Sequence, residues 1–129
     1  MASIAQRSIL SLSIGTMTLL MLNNAFAHDD SVARANRIAY DAAIKCAVAN
    51  SLAGDDRHDA GDEAGAAAYK SKSRRSFDLT YTLGGKLGYE QNQIAHDLDF
   101  AQLSEMPKMV RDRSYFMSTA ATCKALHLM

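Results

Sequence analysis

The sequence is short of the residues that build sheets and rigid turns. It has no tryptophan, one proline, two cysteines and 7% aromatic side chains in 129 residues. So few aromatics argue against a many-stranded β sandwich, and the lone proline excludes a collagen-like chain. With 48% hydrophobic residues, much of it alanine, the chain is also too apolar to read as disordered. Charge of one sign is missing too: 14 bases face 14 acids. Nothing in this balance favours nucleic acid or an anionic membrane as a partner.

Catalytic signatures are equally scarce. There is no Cys-x-x-Cys-His for covalent haem, no His-Glu-x-x-His for zinc, no Walker phosphate loop and no Gly-x-Ser-x-Gly elbow. The run Gly84-Gly85-Lys86-Leu87-Gly88 is glycine-rich, but no strand precedes it and it falls where a helix should end. The chain therefore reads as a protein that is not an enzyme and for which no cofactor is implied.

What is present begins with an export signal over residues 1–27. Arg7 and the initiator amine give a positive start, and no acid occurs before Asp29. An apolar stretch from Ile9 to Leu22 is broken by Ser11, Ser13, Gly15, Thr16 and Thr18. At about 14 residues it is short of the roughly 20 that a stable membrane helix needs. Ala25-Phe26-Ala27 supplies a small-x-small cleavage site. Residues 28–129 then form a single domain, expected in the periplasm or secreted and without stable membrane insertion. No cysteine follows the cleavage site, so lipid attachment has no acceptor. Cleavage removes Arg7 alone of the charged side chains, leaving 13 bases against 14 acids.

The two cysteines, Cys46 and Cys123, suit one intrachain disulfide in an oxidising compartment. Buried free thiols or an intermolecular bridge are the alternatives. A loop this long would contribute roughly 4–5 kcal/mol through the chain-entropy argument, an upper figure because native strain subtracts.

Helical periodicity fills the rest. Ser31 can cap a helix running to about Leu52, with Ala35, Ile38, Ala39, Ala42, Cys46, Ala49 and Leu52 on one stripe and Gly54 as its C-terminal stop. Asp55 to Asp59 reads as a turn. A second helix, from about Asp59 to Leu87, has an acidic start, a basic middle and an apolar face of Ala60, Ala64, Ala67, Phe77, Tyr81 and Gly84. A third covers Glu90 to Leu103 with Ile94, Leu98 and Ala101, flanked by Phe100 and Leu103. A short helix over Pro107–Arg111 follows, and Asp112 caps a last one bearing Tyr115, Phe116, Thr119, Ala120, Cys123 and Leu126. No alternating run is long enough for a strand. The expected fold is all-α: a small bundle of four to five helices, its first and last helices linked by the disulfide.

Three clusters are candidates for binding. Lys70, Lys72, Arg74 and Arg75, interleaved with Ser71, Ser73 and Ser76, form the densest charge on the chain and suit an acidic partner, with a solvated helix face as the alternative. Cleavage after Ala27 would leave His28 as the first residue, whose amine and imidazole together could chelate copper or zinc. Met106, Met109 and Met117, beside Tyr115 and Phe116, could line a groove but fit a core at least as well.

The ending Phe116-x-x-x-x-x-x-Cys123-Lys124-Ala125-Leu126 and the stretch from Phe77 to Gly88-Tyr89 resemble uncharacterised small exported helical proteins of bacteria. More distantly, an exported chain of about a hundred helical residues with one Cys pair is similar in class to periplasmic immunity proteins that neutralise secreted cell-wall amidases. That likeness implies binding and supplies no residues. The expectation is a small exported non-enzymatic protein that binds a protein partner as an inhibitor, immunity or accessory factor. A periplasmic copper- or zinc-binding protein using His28 is the alternative.

Overall fold

The computed structural model describes residues 13–129, with side chains from Asp29 onward. The chain divides between Arg34 and Ala35, and the packing described below is that of the larger unit, 35–129. Among the described residues there are four helices and no strand: α1 (Ser13–Asp59), α2 (Glu63–Lys86), α3 (Gln91–Arg111) and α4 (Arg113–Ala125). None of them is long and apolar enough to cross a membrane. The expected signal segment falls on residues 1–27, whose side chains lie outside the described set.

α1 departs most from its expected form. Ser31 lies inside the helix rather than at its start, and Gly54 is interior rather than a stop. Cys46, Ala47, Val48, Ala49 and Asn50 are five consecutive buried residues. A helix turns once in 3.6 residues, so this stretch is enclosed on every side, and no single stripe describes it. Ile38, assigned to that stripe, is 64% exposed, while Tyr40, Ala43 and Ile44 take the core positions near it.

Three helix ends share one device. At the end of α1, Asp62 N–H donates to Arg57 O and Gly61 N–H to His58 O, with Gly61 at φ +80°. These are the paired bonds of a Schellman cap, which needs a left-handed residue just past the helix. α2 ends in the same way, Tyr89 donating to Gly84 O and Gly88 to Gly85 O, with Gly88 at φ +77°. α4 repeats it with Leu128 donating to Cys123 O and His127 to Lys124 O, but here the left-handed residue is His127, at φ +58°. A side chain in that region costs about 1–2 kcal/mol that glycine avoids. His127→Gly is therefore expected to raise stability by about 0.5–1 kcal/mol, measured as a urea midpoint, once glycine's greater freedom in the unfolded chain is counted.

α2 is buried on a face other than the one its apolar residues suggest. Ser73, Ser76, Thr80, Leu83 and Gly84 face inward, while Phe77 and Tyr81 are each 39% exposed. The hydroxyls are satisfied on the spot: Ser76 Oγ donates to Lys72 O at 3.1 Å and Thr80 Oγ1 to Ser76 O at 2.8 Å. Ser73 Oγ reaches across to Ala47 O of α1 at 3.0 Å. Small side chains that bond to a carbonyl four residues back leave no polar group stranded and allow helices to approach closely.

α3 runs through Pro107 without a break, so the separate short helix expected at Pro107–Arg111 is its last part. Ile94, Leu98, Ala101 and Met109 enter the core as their period requires, whereas Phe100 and Leu103 are 64% and 78% exposed. Of the other methionines, Met106 packs against the core and Met117 is 51% exposed. Tyr40 of α1 joins the helices at a distance in sequence: its hydroxyl donates to Asp97 Oδ2 of α3 at 2.8 Å. Burial first, then that bond, raises the Tyr40 hydroxyl pKa far above its ordinary value. Asp112 caps α4 as expected, accepting from Tyr115 N–H at 3.1 Å.

Cys46 of α1 and Cys123 of α4 lie at disulfide-bonding distance, their Cα atoms 5.5 Å apart. Both are fully buried, and Leu128 packs on them. Asn50 fastens that tail, donating to Leu128 O at 2.7 Å and Cys46 O at 2.9 Å.

Candidate functional site

Where α1 and α2 run side by side toward their connecting turn, their facing residues are too short to fill the space. Gly54 lets the α2 backbone approach, with Ala66 O and Tyr69 Cβ each 3.5 Å from where a β-carbon would stand. Beside that contact lies an open groove of about 690 Å³. Its α1 wall is Asn50, Ser51, Gly54, Asp55 and His58, and its α2 wall carries Ala66, Ala67, Lys70, Ser73, Arg74 and Phe77. Both sets recur at three- and four-residue steps, so each wall is one helix face.

The groove is electrically uneven. At the turn end, His58 Nδ1 lies 2.8 Å from Glu63 Oε1, and beside it Arg57 pairs with Asp62 at 3.3 Å. Lys70 and Arg74, four residues apart on α2, have no ion pair among the described residues, and Asp55 is the one unpaired acid on the walls. At the floor, Asn50 is fully buried and its Oδ1 has no hydrogen-bond partner. Its two amide donations fix the side chain's orientation, so that acceptor cannot turn elsewhere without losing bonds.

Of the four cations singled out in the sequence, the fold sorts two from two. Lys70 and Arg74 stand on the groove wall. Lys72 is half-buried with its ammonium 4.8 Å from the centre of the Tyr69 ring, and Arg75 is exposed elsewhere on α2. Phe77, expected in the core, ends the groove instead. Asn50 carries no signal in sequence, since a polar residue after an alanine-rich stretch reads as a helix surface, and Asp55, expected in a turn with Asp56 to Asp59, lies within α1. His28 lies outside the residues whose side chains are described. Among the described residues, no three of His, Cys, Asp and Glu gather as metal ligands.

A second ionisable cluster braces α3 against α4. Glu105, its side chain 13% exposed, accepts from Lys108 Nζ at 2.8 Å and from the Tyr115 hydroxyl, and Lys45 of α1 stands over the Tyr115 ring. Burial pushes the Glu105 carboxyl up, but the bonds from Lys108 and Tyr115 and the nearby ammonium charges together outweigh it and hold the carboxyl below its usual range. Because the folded-state pKa is the lower one, this cluster contributes fully above the ordinary value of 4.5 and is lost as pH falls through the depressed one. Glu105→Gln is expected to lower stability at pH 7 and to make the acid-side decline shallower, as read from urea midpoints between neutral and acid pH. Parallel wild-type and variant curves would remove Glu105 from the acid response.

No family model, curated protein or solved structure matches the chain.

Proposed function

We propose that this is a small exported, non-enzymatic helical protein that binds a protein partner, in the manner of an inhibitor, immunity or accessory factor. One observation carries the reading: Lys70, Arg74, Phe77 and Tyr81 lie at four-, three- and four-residue steps on α2, so two unpaired cations and two half-exposed aromatic rings share one outward face. Aromatic and cationic anchors placed together are the composition of an interface centre rather than of an ordinary solvated helix face. In this reading residues 1–27 are removed on export, and Cys46 and Cys123 are joined covalently in the oxidising compartment, linking the first helix to the last.

Placing a photo-crosslinking residue at Tyr81 in the exported protein tests the binding face. A discrete adduct is expected, lost in the Lys70→Glu/Arg74→Glu variant while its helical circular dichroism is unchanged. An adduct insensitive to the charge reversal, or only diffuse labelling, would sink the proposal. Intact mass of the same sample checks processing: a chain beginning at His28 and lighter by the two hydrogens of a disulfide is expected.

A further inference from the structure

We infer that the groove between α1 and α2 receives an extended acidic segment of the partner, with acids at alternate positions and an apolar residue beyond them. This rests on the binding reading above and names what the same face takes.

The length of the wall and the spacing of its cations set the register of the occupant. The α2 wall runs from Glu63 to Phe77, about 21 Å at the helical rise. At about 3.3 Å per residue an extended chain lays about six residues along that length.

Charge fixes the chemistry. On α2 the two bases Lys70 and Arg74 outnumber the one acid, Glu63, and neither base has an ion pair among the described residues, while Asp55 stands on the α1 wall. Both cations are exposed and free to close on carboxylates without breaking an existing ion pair. Four helical residues separate them by about 6 Å along the axis, close to the roughly 6.7 Å between side chains on one side of an extended strand. Acids at positions i and i+2 therefore meet the two cations together, whereas acids at i and i+1 point to opposite sides. Phe77 lies one turn beyond Arg74 and offers its ring to an apolar residue next along the segment.

The test uses the exported protein and three peptides capped at both ends, followed by amide NMR shifts. The first carries Asp-Thr-Asp-Thr-Leu between glycines, the second the same residues with its acids adjacent, and the third Asn in place of each Asp. The first is expected to shift amides of Ala66, Ala67 and Ser73. The second should bind at least about threefold more weakly, and the third about tenfold or more. Lys70→Glu/Arg74→Glu and Ala67→Trp, which fills the groove with charge unaltered, should each weaken the first peptide by about tenfold or more. Loss on charge reversal with full binding to Ala67→Trp would place the contact on the outer ridge, overturning the groove and leaving the binding face intact. Equal binding of all three peptides, or none by any, would overturn the acidic-segment inference, while the Tyr81 crosslink judges the binding reading separately.

Discussion

Cys123→Ser is expected to lower the unfolding free energy by about 4 kcal/mol and the thermal midpoint by roughly 15–30 °C. The bridge would close a loop of 77 residues in sequence separation, and the chain-entropy argument gives about 4.5 kcal/mol for that length. The site adds a second cost. Both sulfurs are fully buried, so the variant places a hydroxyl and a thiol in a pocket completed by Leu128, where a serine lacks a ready partner. The effect should also reach the tail, because Asn50 holds Leu128 O on the same turn of α1. Equilibrium urea unfolding is the measurement, with reduced wild-type protein as the companion. Both samples should fall together. A wild-type midpoint in either would mean that the two cysteines, though adjacent, are not linked in solution.

The second large effect is expected at the crossing of α2 and α3. Ile94 is 1% exposed, and a β-carbon on Gly84 would stand 2.5 Å from Ile94 Cδ1 and 3.2 Å from Tyr40 Cε2. Ile94→Ala should therefore cost about 2–5 kcal/mol, the range for emptying a well-packed site. Gly84→Ala alone should also destabilise, by about 1–2 kcal/mol. The overlap costs more than the roughly 1 kcal/mol that alanine returns in helix propensity. The informative quantity is the double variant. With Ile94 shortened, the Gly84 methyl enters the space that the isoleucine left, so Gly84→Ala should become neutral or stabilising. A coupling of about 1 kcal/mol or more would show that the two positions share one volume, and simple additivity would show that the overlap relaxes elsewhere.

These two sites also mark what is legible in the sequence. Cys46 and Cys123 lie at bonding distance, the one intrachain pairing that two cysteines offer, and the helical class follows from period and composition. Ile94, Leu98 and Ala101 were legible as a core face because α3 is buried on one side only. The inward face of α2 is hidden from a sequence reading because its residues, Ser73, Ser76 and Thr80, are polar by name yet satisfied by carbonyls of their own helix or of α1. The two aromatic rings that looked like its core stayed outside and mark the candidate face. Gly54 looked like a stop, but what α1 needs there is an absent side chain for close approach to α2, and the left-handed turn waits until Gly61.

Sequence alone determined the period of the helices, the end of α2 at its glycines and the cap at Asp112, because each depends on neighbours in the chain. Only tertiary structure decided which faces are buried, why residues 46–50 of α1 are enclosed all round, and which two of four cations stand over a groove. Those outcomes depend on the volume and hydrogen-bonding reach of residues far away in sequence. A serine or glycine is inward or outward according to what lies opposite it, and the chain's local pattern does not record that.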